Sequence, residues 1–361
     1  AGPRQAIMIG FHPGHKLLHF PTPAFSSPAA AHDPMAHEQL PLFADADAVD
    51  PAAGDAAVTI LGDALPAPIH LGTSSWSFPG WTGIVYAPRT GKPASEQTLA
   101  RQGLAAYAAH PLFRTVSLDR TFYAPLTRED FARYAAQVPA GFRFVVKAPA
   151  AFTDPVVRKP GSGEAARDNQ LFLESQAATE AFVRPAVDGL GPKAGPLVFQ
   201  FPPLGRGLVA DVPKLAARIA AFVAALPRGP LYAVEVRDPQ LACAAFAAPL
   251  VDSGGVPCLA VHARMPPVEE QARAFGLDRP DYPLPLVARW NLHAGRGYEE
   301  AKADYFPFDR LVEEDVPSRT SLARLARAAA AAGRDVFITI NNKAEGSAPL
   351  SVQRLAERIM Q

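Results

Sequence analysis

The chain has 361 residues, in which 35 Lys and Arg cancel 35 Asp and Glu, and 48% of its residues are hydrophobic. A formal charge of zero excludes a global electrostatic pull toward nucleic acid or membrane and leaves only local basic patches. The two cysteines, Cys243 and Cys258, lie in apolar runs; they cannot build a zinc site alone and read as small core residues in a reducing compartment. No run is long and apolar enough to span a bilayer, and the N-terminus lacks a basic-then-apolar leader, so a cytoplasmic protein with no membrane partner is expected.

Residues 1–68 are rich in Ala, Pro, His and Asp without a sustained period, which predicts a flexible N-terminal extension. Met35 is an expected natural start, which would leave residues 1–34 outside the native protein. From residue 69 onward, short apolar, β-branched runs alternate with helical stretches. The first strand is expected at 69–73, followed by a helix capped by Ser95 and running to about Ala109. A strand at 113–118 precedes a helix capped by Thr127, and a strand at 142–147 precedes a long helix over 167–190. The fourth strand falls at 196–201, before a helix opened by Asp211 and ending near Pro227. The fifth, at 232–237, precedes a helix over 239–251, and the sixth, at 256–261, precedes a short helix over 268–275. The seventh, at 286–290, leads into a long loop and an Ala-rich helix capped by Ser318 or Ser321 and stopped by Gly333. The eighth covers 336–340, and a last helix runs over 349–360. Eight such units predict an α/β chain closed as a (β/α)₈ barrel, with its chemistry at the C-terminal ends of the strands.

That end of the barrel carries charge. Glu235 and Arg237 are two apart and share a face, with Val234 and Val236 on the other. Lys147 ends the third strand on the same face as Val145, and Arg289 stands near the end of the seventh. If all point inward, Lys147, Arg237 and Arg289 converge on an anionic ligand, a task suited to the bidentate grip of Arg. The alternative is that they pair with Glu235 and Asp119 as a structural plug with no net positive site. After the eighth strand, Ser347 is placed to cap the last helix; Asn341, Asn342 and that helix start could orient a phosphate, or the turn could be a plain cap. Trp76, Phe122 and Tyr123 follow strands one and two and could form a stacking wall or simply close the barrel top. A divalent metal would draw on Glu235, Asp119, Asp238 and His262, with His293 as a further loop candidate, but no tight ligand spacing supports it. In the extension, Gln39-Leu40-Pro41-Leu42-Phe43 looks like the short motif by which bacterial replication and repair proteins dock to the sliding clamp: Gln39, Leu40, Leu42 and Phe43 offer a polar contact and apolar anchors on a segment with no core to join.

The ordered motifs Gly72-Thr73-Ser74-Ser75-Trp76-Ser77, Thr121-Phe122-Tyr123, Phe142-Arg143-Phe144-Val145-Val146-Lys147-Ala148-Pro149, Phe199-Gln200-Phe201-Pro202-Pro203, Val234-Glu235-Val236-Arg237-Asp238-Pro239, Arg289 and Asn341-Asn342 resemble the YecE-type TIM-barrel family, domain of unknown function seventy-two, over roughly residues 69–360. The resemblance implies the barrel and names no activity. The usual pattern has Glu and Asn where this chain has Ser117 and Asp119, His where it has Asp238, and a further His near Phe152-Thr153-Asp154.

Three functions are expected to compete. The first is an enzyme, in the manner of a hydrolase, acting on a phosphate-bearing substrate such as nucleic acid. In it Glu235 is the general acid/base, Lys147, Arg237 and Arg289 hold the anion, and Trp76, Asp119, Tyr123, Asp238, Asn341, Asn342 and Ser347 complete the site. The others are a non-catalytic module recruited to the clamp and a metal-dependent sugar hydrolase or isomerase.

Overall fold

A computed structural model describes residues 48–89, 93–158, 164–279 and 281–361. Eight parallel strands close into a barrel: β1 (Ile69–Thr73), β2 (Thr115–Leu118), β3 (Arg143–Lys147), β6 (Ala194–Gln200), β7 (Tyr232–Glu235), β8 (Gly255–Val261), β9 (Leu286–Trp290) and β10 (Val336–Ile340), with β10 returning to pair with β1. The other two, β4 (Val156–Arg158) and β5 (Ala165–Asp168), form a separate antiparallel pair. Among the described residues no helix is long and apolar enough to cross a membrane.

Strand alternation sorts the side chains into two layers. Ile69, Leu71, Phe144, Val146, Phe199, Val234, Ile338 and Ile340 belong to the large core beneath the surrounding helices. Their neighbours Val145, Val198, Ala233, Val256, Cys258, Val287 and Phe337 form a second cluster that fills the barrel itself. Burial lifts the Cys258 thiol well above its usual range, which fits the expected role of a small core residue.

The Gly72-Thr73 motif is explained by packing. A Cβ on Gly72 would fall 1.8 Å from the Thr115 carbonyl oxygen, so β1 and β2 meet there only over a glycine. The Thr73 hydroxyl and amide both reach the buried Tyr107 hydroxyl, which itself donates to Thr115 O at 3.0 Å.

Ser95, Thr127 and Asp211 cap their helices as expected, Thr127 in a reciprocal box with Asp130. The helix after Ser95 breaks at Gly103 into Glu96–Gln102 and Leu104–Ala108. The cap of Val316–Ala331 is Asp315 rather than Ser318 or Ser321: its carboxylate accepts from Ser318 N at 3.1 Å.

The long helix expected over 167–190 starts at Ser175, because residues 165–168 pair with β4. It carries a π turn at Thr179–Val183 just before Pro185, a residue with no N–H for the regular ladder.

Helix lies within two stretches expected to be irregular. Asp55 caps Ala56–Ala64, which Arg114 ties down by donating to the carbonyls of Gly62, Leu65 and Pro66. Tyr298–Tyr305 lies in the loop after β9. The clamp-like motif at 39–43 and the extension before residue 48 lie outside the described residues.

Candidate functional site at the barrel mouth

On the inward faces, two residues beyond the aliphatic cluster, the strands change character. Val145 is followed by Lys147, Ala233 by Glu235 and Val287 by Arg289. Glu235 is fully buried, and its carboxylate binds two guanidiniums: Arg289 Nη1 donates to Oε2 at 2.7 Å, and Arg237 Nη2 pairs with Oε1. Asn291 Nδ2 reaches Oε1 at 3.3 Å. Arg289 then forks to Asp119 with Nη2, at 2.8 and 2.7 Å, and Ser117 Oγ donates to Asp119 Oδ1 at 2.6 Å.

The network explains the protonation states. Burial alone would raise the carboxyls, but Arg237 and Arg289 hold Glu235 below its usual range, and Arg289 and Lys147 do the same for Asp119. Burial works against the Arg289 charge, but its two carboxylates push its pKa up. Glu235 is therefore a closed-off carboxylate whose two guanidinium partners favour its ionised form. That geometry suits it to positioning Arg237 and Arg289, not to the general acid/base role expected of it.

Two carboxylates and two guanidiniums cancel, so the pairing alternative holds for Arg237 and Arg289. It does not extend to Lys147. Its Nζ stands 3.6 Å from the centroid of the Phe122 ring and, among the described residues, enters no ion pair. Burial, with help from Arg289 and Arg237, lowers its pKa to about 8 against the pull of Asp119 and Glu235. Lys343, on the turn after β10, repeats the arrangement with Nζ 4.4 Å from the Tyr298 ring. Burial and the nearby Lys302 lower its pKa, and Asp119 lies within its electrostatic reach. Tyr123 and Tyr298 expose 85% and 54% of their surface, so two aromatic side chains stand open beside the cations.

Several expected contributors lie elsewhere. Trp76 is buried, donates Nε1 to Leu99 O at 3.0 Å and meets Tyr134 edge-on, so it belongs to the packing and not to a stacking wall. Asn342 is buried and accepts from Trp81 Nε1 at 3.1 Å and from Ala348 N at 2.9 Å. It, not Ser347, caps the last helix (Ala348–Met360); Ser347 is fully buried and makes no cap bond. Asn342 thus takes the first amide of that helix, as in the plain-cap alternative. Asn341 accepts from Lys343 N at 3.1 Å and so shapes the turn that carries Lys343. Asp238 accepts from Leu204 N at 2.8 Å and anchors the loop after β6.

The metal candidates do not come together: among the described residues no three His, Cys, Asp or Glu side chains form a metal-ligating group. Burial and Arg237 bring the His262 pKa down to about 4, and His293 faces Glu313 on the rim at 3.8 Å. A cavity of about 560 Å³ opens at the opposite face of the barrel, lined by Pro66, Arg327, Ala330, Ile359 and Met360 among others, and holds none of this chemistry.

Sequence reasoning missed Ser117, Asn291, Lys343 and Tyr298 as members of the mouth. Asn291 stands two residues beyond Arg289 and Ser117 two before Asp119, so the period that found Arg237 from Glu235 also reaches them. Tyr298 sits in a stretch with no legible period.

The model of a family described as "Protein of unknown function DUF72" matches residues 70–361. The chain belongs to the DUF72 family. A solved DUF72 protein from Enterococcus faecalis is 18% identical, covers 81% of this chain and 96% of its own, and superposes with a TM-score of 0.52. Another, from Thermotoga maritima, is also 18% identical over 81% of this chain and 99% of its own, with a TM-score of 0.49. At this identity the Enterococcus likeness supports the DUF72 fold alone. No curated protein matches the chain.

Proposed function

We propose that the barrel mouth binds, and enzymatically processes, a phosphate-bearing ligand of the nucleotide, sugar-phosphate or nucleic-acid-end kind. One observation carries this reading: among the described residues, Lys147 and Lys343 enter no ion pair, beside a network whose own charges cancel. Lysine without a counter-ion attracts anions as a point charge, and the aromatic rings beneath both ammoniums limit their hydration. Arg237 adds a buried Nη1 with no hydrogen-bond partner among the described residues, a donor left for a ligand oxygen. Tyr123 and Tyr298 supply faces on which a base or sugar ring can stack. In this reading Arg289, Glu235 and Asp119 are the rigid floor that fixes Arg237 and Lys147.

Thermal shift followed by titration calorimetry tests it, using inorganic phosphate, sugar phosphates, mononucleotides and short oligonucleotides. A phosphate-bearing ligand is expected to raise the melting temperature of the wild type saturably. Lys147→Met and Lys343→Met should each weaken that ligand about ten-fold, or ~1.4 kcal/mol. No shift with any of these ligands, or an unchanged affinity in the double variant, rejects the reading.

A further inference from the structure

We propose that Lys147 is a nucleophilic amine which condenses with the carbonyl carbon of an aldehyde or ketone that also bears phosphate. This rests on the phosphate reading for the charge of the ligand and adds the chemistry done on it.

The geometry isolates the amine. Lys147 is the last residue of β3, on the inward face two beyond Val145. The groups that face it are Asp119 from the end of β2, Glu235 and Arg237 from the end of β7, and Arg289 from β9. Both carboxylates are already taken, Asp119 by Arg289 and Ser117, and Glu235 by Arg289, Arg237 and Asn291. The Phe122 ring covers one side of Nζ and offers no acceptor for a proton. With the amine pKa brought down to about 8, neutral pH leaves on the order of a hundred-fold more free base than in an ordinary lysine.

Nucleophilic attack is favoured over simple proton abstraction because, among the described residues that face Lys147, none is poised to relay a proton. Asp119 and Glu235 are held ionised, and His262 is held neutral with a pKa of about 4. An imine removes that need by placing an electron-withdrawing nitrogen on the substrate itself. The step balances without an oxidant. The Nζ lone pair forms the C–N bond, the carbonyl π pair moves to oxygen, and a proton passes from nitrogen to oxygen through water. Loss of the hydroxyl with the second N–H proton as water leaves C=N, and hydrolysis reverses it. A phosphate on the same molecule would lie within reach of Lys343 or Arg237.

The test uses the full chain with pyridoxal 5′-phosphate, an aldehyde that carries phosphate, then borohydride reduction and peptide mapping of the eight lysines. The expected result is an adduct at Lys147 forming about ten-fold faster than at any other lysine, the gain in free amine being partly offset by its lower basicity. Its rate should climb with pH and level off above about 8. Lys147→Arg keeps the cation, so it should stay folded, with an unchanged circular dichroism spectrum, and lose the adduct. Label spread evenly over exposed lysines such as Lys214 and Lys302, or absent from Lys147, overturns the proposal. Selective labelling that inorganic phosphate does not slow upholds the nucleophile and removes the phosphate reading. Phosphate binding at the mouth with Lys147 unreactive does the reverse.

Discussion

The lower and upper halves of the barrel interior are built from the same strands and the same inward faces, yet they obey different physics. Below, Val145, Val198, Ala233, Val256, Cys258 and Val287 interlock, and Phe337 stacks on His70 with ring centroids 4.8 Å apart. Two residues further along, Lys147, Glu235 and Arg289 put charge into a space almost as well buried. The lower layer is stabilised by area removed from water and by close packing. The upper layer is stable only as a complete set, since each charge offsets the desolvation of the next. A neutral, packed upper layer would have served the fold equally well. On the reading proposed above, the charges there, with the Lys147 amine outside any ion pair among the described residues, serve a ligand and not stability.

Removing one member of the upper set has the largest expected effect. Arg289→Met leaves Glu235 and Asp119 short of their shared guanidinium and should cost about 3–5 kcal/mol in chemical denaturation. Adding Glu235→Gln to that variant should recover part of the loss, a coupling that a merely additive interior would not show. A smaller cost is expected below: Phe337→Leu loses the stack on His70 and some volume, about 1–1.5 kcal/mol, with affinity at the mouth unchanged. An equal cost for the two single variants would erase the distinction.

The gentlest test is pH. Asp119 and Glu235 have depressed pKa values, so their contribution is fully present above the ordinary carboxylate range and fades as pH falls through the folded values. Lys147 acts in the same sense but in an alkaline window: between about 8 and its ordinary value the unfolded chain binds more protons, so stability should rise with pH there as the cost of burying the ammonium is relieved. Denaturation curves at stepped pH should show both limbs, and Lys147→Met should remove the alkaline one and reduce the acid one in part, since Lys147 helps hold Asp119 and Glu235 ionised.

Most of the barrel was legible because buried parallel strands advertise themselves as short β-branched runs, and β1, β9 and β10 fall where the pattern put them. Strand ends were less legible: β7 stops at Glu235, and Arg237 continues the inward face without ladder bonds. The helix Ala56–Ala64 was hidden because what orders it, the guanidinium of Arg114, lies about fifty residues away in sequence. The mouth was legible as a set of charges but not as a set of pairs. Spacing of two shows that Glu235 and Arg237 share a face, yet nothing local says that Arg289 takes Asp119 and Glu235 together and leaves Lys147 outside any ion pair among the described residues. Asn342 and Ser347 were misassigned for the same reason. Either residue could cap a helix; burial and the approach of Trp81, 261 positions away, decide between them.

That last contact governs how the molecule is made. Asn342 joins the first βα unit to the last beside the seam where β10 meets β1. Until Val336–Ile340 emerges from the ribosome, any sheet formed by the seven earlier barrel strands exposes an unpaired edge on both β1 and β9. Open edges are templates for mispairing, and closing so distant a join is slow. Demand for chaperone protection during synthesis should therefore concentrate in the interval before this final strand arrives.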